Sequence, residues 1–114
     1  FMRKNLKDWK KILKDKTLIT TLGKKGAQIQ TKNKTIVIKP AIPKVVVDPT
    51  GAGDAYRAGF LAGLEKGFDL QTAGQMGAVV ASFAIEHYGS QEHKFTIKDF
   101  KNRYRQTYGS LVKL

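Results

Sequence analysis

The chain has 114 residues, room for one domain, and 41% of them are hydrophobic, enough for a core. No apolar run approaches the ~18–20 residues of a membrane-spanning helix, and the absence of cysteine excludes disulfide and thiolate chemistry. The formal charge of +12 is uneven, with 13 Lys/Arg against 2 Asp/Glu in residues 1–44, 3 against 6 in 45–95 and 5 against 1 in 96–114. That distribution fits either a well-solvated lysine surface or attraction to polyanions such as nucleic acid or nucleotide phosphates.

The basic N-terminus, "FMRKNLKDWKKILKDK", lacks the continuous apolar segment of a signal peptide, so a cytoplasmic location is expected. Leu6, Trp9, Ile12 and Leu13 are spaced for one face of a helix over about residues 4–15. Three β-rich runs follow, "TLITTL", "AQIQT" and "TIVIK", separated by "GKKG" and "NK" turns, and Ala27-Gln28-Ile29-Gln30 alternates as a half-exposed strand does. Pro40 and Pro43 break the pattern and lead to "VVV", read as a fourth strand. The Ala/Gly-rich "DAYRAGFLAGLEKG" is helical in period, and its Gly59 and Gly63 imply close packing of that helix, for instance on a sheet; Gly67 is a helix stop. Asp69 caps a second predicted helix, Leu70 to about Glu86, with Ala73, Met76, Gly77, Val80 and Ala84 on one face. Thr96 and Asp99 form a capping box for a last helix carrying Ile97, Phe100, Tyr104 and Tyr108. Strands first and helices after imply an α/β layer structure with a small sheet and an exposed edge. The histidines, His87 and His93, lie in a polar loop and read as surface residues.

The chemistry concentrates in "VVVDPTGAGDAYRAGF", Val45 to Phe60. The first N–H groups of a helix have no intrahelical acceptor and carry the positive end of its dipole. Gly51, Ala52 and Gly53 would let an anion such as phosphate approach those groups closely. The stretch is neither GxxxxGK[ST] nor GxGxxG. Asp54 would repel a phosphate held there, which suits a general base that takes the proton of an attacking hydroxyl. From these residues alone, an Asp54 that only caps the helix over a glycine turn is an equal alternative.

"DPTGAGDAYRAGFLAGL" resembles the second signature of the PfkB, or ribokinase-like, kinases. The resemblance implies an α/β, ribokinase-like (Rossmann-like) layered fold. It makes residues 1–114 a single partial domain, the C-terminal nucleotide-binding portion of such a kinase. It assigns Asp54 as catalytic base and Gly51, Ala52 and Gly53 as the anion hole for the transferring phosphoryl group. "ITTLGKKGAQI" is similar to the family's strand–turn–strand element beside the nucleotide, with Thr21, Gly23 and Gly26 at the matching positions. Gly23-Lys24-Lys25-Gly26 also fits the GxxG loop of KH domains, but that loop joins helices and this one lies between β-like runs. Gly89 matches the glycine that follows the family's adenine-pocket helix, and Ala78 stands where many members present Asn or His to the adenine.

The implied cofactors are ATP and Mg2+, with K+ a further option near Asp48 and Thr50. The implied reaction is phosphoryl transfer to a primary hydroxyl of a sugar or nucleoside, adenosine-like favoured. The first signature, the acceptor pocket with its lid and the Mg2+-associated Asn-x-x-Glu element have no counterpart in the sequence. The expectation is therefore a piece that needs the missing N-terminal part of a kinase, is inactive alone and self-associates through the surface left bare. The alternative is a non-catalytic basic module for nucleic acid or an assembly partner; nucleic acid is the less expected partner and a membrane is not expected.

Overall fold

The computed structural model describes residues 18–87, 95–110 and 112. The helix predicted over 4–15, with Trp9, lies outside the described residues, as do Gly89 and His93. In chain order the elements are β1 (Leu18–Thr21), a 3-10 turn (Gly23–Lys25), β2 (Ala27–Gln30), β3 (Thr35–Ile38), α1 (Ala52–Glu65), α2 (Leu70–Ala84) and α3 (Ile97–Tyr108).

The strands form an antiparallel sheet in the order β1-β2-β3. Its register sets Ile19 opposite Ile29 and Ile29 opposite Ile36, with Ala27 opposite Ile38. Side chains alternate across a strand, so this row turns to one face. Ala27, Ile29 and Ile38 are fully buried there, while Gln30 and Val37 face outward. The β1–β2 connection depends on Gly26, whose φ is 93°; a Cβ at this position would overlap the Ile38 carbonyl oxygen and crowd Pro40. The β2–β3 turn is tied by Thr31, whose Oγ1 accepts from the Lys34 N–H at 3.1 Å and donates to the Lys34 carbonyl.

Val45–Val47 does not form the expected fourth strand. These valines are 43–56% exposed, and the Val47 N–H instead donates to the Ile85 carbonyl at the end of α2. Strand propensity marks a run that fits a pleated surface, but a strand needs a neighbouring backbone to pair with. None runs beside this segment among the described residues.

The helices follow from local signals. The Asp69 carboxylate accepts the Thr72 N–H at 2.8 Å and caps α2, as expected; the helix ends at Ala84, slightly short of Glu86. Thr96 and Asp99 make the reciprocal capping box of α3, and Gly67 closes α1 with its N–H on the Leu64 carbonyl. Phe100 and Tyr104 are buried as expected, whereas Ile97, in the first turn of α3, is 59% exposed.

The small residues of α1 face a helix rather than a sheet. A Cβ on Gly59 would come within 2.9 Å of Gly77 Cα, and one on Gly63 within 2.9 Å of Ala73 Cα. On another side of α2, Gly74 packs against Ile29 and Ile38, so α2 meets both the sheet and α1. Two cores result. One joins the sheet to α1 around Tyr56, Phe60 and Leu64, and the other joins α2 to α3 around Val79, Phe83, Phe100 and Tyr104.

A Cβ on Gly77 would lie 2.7 Å from the Tyr56 carbonyl oxygen, a backbone atom that cannot step aside. Gly77→Ala gains about 1 kcal/mol of helix propensity and loses about 1–3 kcal/mol to overpacking. We expect a net destabilisation, read as a lower urea midpoint with an unchanged slope.

Candidate functional site

A cleft of about 510 Å3 opens where the β1–β2 turn meets the N-terminus of α1. Thr21, Gly23 and Gly26 border it on the sheet side, Ala52 and Gly53 on the helix side, and Ala78, Ala81 and Ser82 of α2, with Ile85 just past its end, form its floor. Its surface is largely apolar, as suits a flat heteroaromatic ring, with backbone polar groups at the rim.

The glycine turn supplies the polar end. Gly51 is the N-cap of α1 with φ 85°, a left-handed conformation that a residue with a Cβ adopts at a cost, and no side chain caps the helix. Asp48 Oδ1 accepts the Thr50 N–H at 3.0 Å, and the Ala52 N–H donates to the Pro49 carbonyl at 3.2 Å. The N–H groups of Gly53 and Asp54 meet no acceptor among the described residues. A Cβ on Gly53 would meet nothing within 4 Å, so this glycine leaves open space rather than relieving a clash. The turn thus presents free donors at the positive end of a 14-residue helix, on the edge of the cleft. This observation fits a phosphate-bearing ligand.

Asp54 is the third residue of α1 and does not cap it. Its carboxylate is exposed and 3.7 Å from the Arg57 guanidinium. It stands outside the cleft lining, next to Gly53, which lines it. Asp48 and Thr50 sit in the turn that leads to Gly51 and do not line the cleft, although Pro49 between them does. The cleft therefore brings together Thr21, Gly23, Gly26, Ala52 and Gly53, with Gly51 and Asp54 flanking.

Ala78 lies in the cleft wall, so contact with a base there would be apolar. Sequence reasoning passed over Pro40, Ile42, Pro43, Ser82, Ile85 and Tyr56, all of which line the cleft. The prolines were visible as breaks, but nothing local signalled that the segment between them folds over a cavity.

Tyr56 also borders a second recess of about 180 Å3 with Ile19, Thr21 and Arg57. The residue is 5% exposed, and its hydroxyl has no hydrogen-bond partner among the described residues. Burial pushes the Tyr56 phenol well above the ordinary range, and Tyr108 likewise. The folded chain therefore keeps protons that the unfolded chain releases near pH ~10, and stability falls as pH rises beyond that value. Tyr56→Phe removes an unsatisfied donor at constant shape, so we expect a gain of about 1 kcal/mol and a weaker loss of stability above pH ~10, both measured by thermal melts across pH.

Comparison with known proteins gives the family and the fold. Residues 3–96 match the model of the pfkB family carbohydrate kinases. The nucleoside kinase of Methanocaldococcus jannaschii is 53% identical over 74 residues, which are 65% of this chain and 24% of that protein. The adenosine kinase of Saccharomyces cerevisiae is 39% identical over 77 residues, 66% of this chain and 23% of that protein. Among solved structures, the M. jannaschii nucleoside kinase, described as an archaeal member of the ribokinase family, superposes with a TM-score of 0.76 at 42% identity, over 90% of this chain and 34% of that one. The Burkholderia thailandensis nucleoside kinase in complex with ADP-inosine gives a TM-score of 0.81 at 37% identity, over 85% of this chain and 30% of that one.

The chain belongs to the pfkB family of carbohydrate kinases, and its fold is that of the ribokinase family. It spans about a quarter of the length of the curated relatives it matches. Among the described residues no helix is long and apolar enough to cross a membrane.

Proposed function

We propose that this chain supplies the ATP side of a phosphoryl transfer to a primary hydroxyl of a nucleoside or sugar. The observation that supports this reading is the meeting of the β1–β2 turn and the glycine turn on one apolar cleft. Adenine occupies the apolar part beside Ala78, with Thr21, Gly23 and Gly26 at its rim. The phosphates lie toward Gly51, Ala52 and Gly53, whose backbone donors stabilise the charge that develops on the transferring group. Asp54 takes the proton of the acceptor hydroxyl. Mg2+ travels with the nucleotide phosphates, and Asp48 and Thr50 are the residues nearest the turn for a monovalent cation such as K+. The relatives named nucleoside kinase and adenosine kinase, and the neighbour solved with ADP-inosine, favour a nucleoside acceptor of the adenosine kind over a simple sugar. The rival reading, a basic module for polyanions, has only the +12 charge to support it.

The acceptor pocket comes from the part of the relatives that this chain does not span, so the 114 residues alone have negligible kinase activity. The test is a chimera in which this chain replaces the matching segment of the M. jannaschii nucleoside kinase. The chimera phosphorylates nucleoside. Asp54→Asn then lowers kcat by about 10^2-fold or more while nucleotide affinity stays within about twofold. An Asp54→Asn chimera with near-parental kcat contradicts the assignment.

Ile42, Val45 and Val46 are 77%, 54% and 56% exposed and lie near one another in sequence beside the cleft. Where the rest of a kinase does not cover this patch, a second copy does. Sedimentation equilibrium is expected to show a dimer that Val46→Asp converts to monomer; a parental chain that stays monomeric at high concentration refutes this.

A further inference from the structure

With no strand beside Val45–Val47 among the described residues, something else must fix the path from Lys44 to the glycine turn. Groups just past the end of α2 do this. The Ile85 carbonyl accepts the Val47 and Asp48 N–H groups at 2.7 and 3.0 Å. Glu86 Oε2 accepts the Lys44 N–H at 2.7 Å. That carboxylate's side chain is only 11% exposed, and a charge so far from water requires a partner.

The partner comes from α3. Arg103 Nη2 lies 2.8 Å from the same Glu86 oxygen, and Nη1 donates to Ser82 Oγ at 3.0 Å. The guanidinium carbon sits 3.8 Å from the centre of the Phe83 ring. Ser82, whose hydroxyl donates to the Val79 carbonyl at 2.6 Å, is itself part of the cleft floor. A buried ion pair contributes little net stability, but losing one member leaves the other uncompensated. Losing Arg103 would leave the Glu86 carboxylate without that cation beside it.

We propose that Arg103 is a positioning residue for the glycine turn. By holding Glu86 on the Lys44 N–H, it keeps the Lys44–Asp48 run against the end of α2 and so sets where Gly51–Asp54 stands across the cleft. Its consequence for nucleotide binding rests on the function proposed above; its consequence for the backbone does not.

The test is native-state amide exchange on the 114-residue chain. Arg103→Met lowers protection at Lys44, Val47 and Asp48 by about tenfold or more, the loss of one well-made hydrogen bond, while Ile29 and Phe60 change less. Adding Glu86→Gln to that variant restores a neutral acceptor for Lys44 with no unpaired charge, and protection returns to within about threefold of the parent. A residue that merely packs on Phe83 would show no such rescue. Unchanged protection in Arg103→Met, or no recovery in the double variant, overturns the proposal. In parallel, the Kd for ADP with Mg2+ rises about tenfold in Arg103→Met and recovers in the double variant. If the parent chain does not bind ADP, the functional reading fails while the exchange data still decide the positioning role.

Discussion

How closely α2 lets its neighbours approach governs the architecture. Gly74 admits Ile29 and Ile38 from the sheet, and Gly77 with Ala73 admits the backbone of α1 at Gly59 and Gly63. Larger side chains on either side would push a layer away, because interiors are packed to a density that leaves no slack. With α2 thus held close to both the sheet and α1, the β1–β2 turn and the N-terminus of α1 border one cleft. The cleft is what remains between them, and α2 is its floor.

On the function proposed above, that arrangement lets a small chain carry the ATP side of the reaction. Binding a phosphate needs unpaired backbone donors, and Gly51 provides them by opening α1 without a capping side chain. Binding a heteroaromatic ring needs an apolar slot, and the small residues that allow close helix packing leave room for one beside Ala78 and Ala81. Deprotonating an acceptor needs a carboxylate near the phosphate but not within its shell, and Asp54 is exposed one residue past the cleft wall.

Much of this was legible in the sequence where the signal is local. The Asp69 cap, the Thr96–Asp99 box and the Gly67 stop are contacts over three to five residues, and the spacing specifies them. The alternation of Ala27 and Ile29 with glutamines placed β2 and its buried face correctly. The GAGD turn was visible because two glycines and an acid are unusual residues to open a helix with, and the resemblance to a kinase signature gave them roles. Long-range partners were not legible. Val45–Val47 has the composition of a strand, but nothing in the run says whether another backbone runs beside it. Arg103 reads as one more polar residue of an amphipathic helix, yet it is 8% exposed and bonded to Ser82, 21 residues away. Gly59 and Gly63 announced a close neighbour without saying that it was a helix.

Everything proposed for this chain turns on whether the cleft between the β1–β2 turn and the glycine turn takes a nucleotide. The most direct measurement is a titration of the chain with ADP and Mg2+ followed by backbone amide NMR. A nucleotide bound there gives saturable shifts at Gly53 and the adjoining Asp54 together with Gly23 and Gly26 across the cleft. Shifts that avoid both turns while ADP is seen to bind elsewhere, or no response at either turn at millimolar ADP, would contradict it.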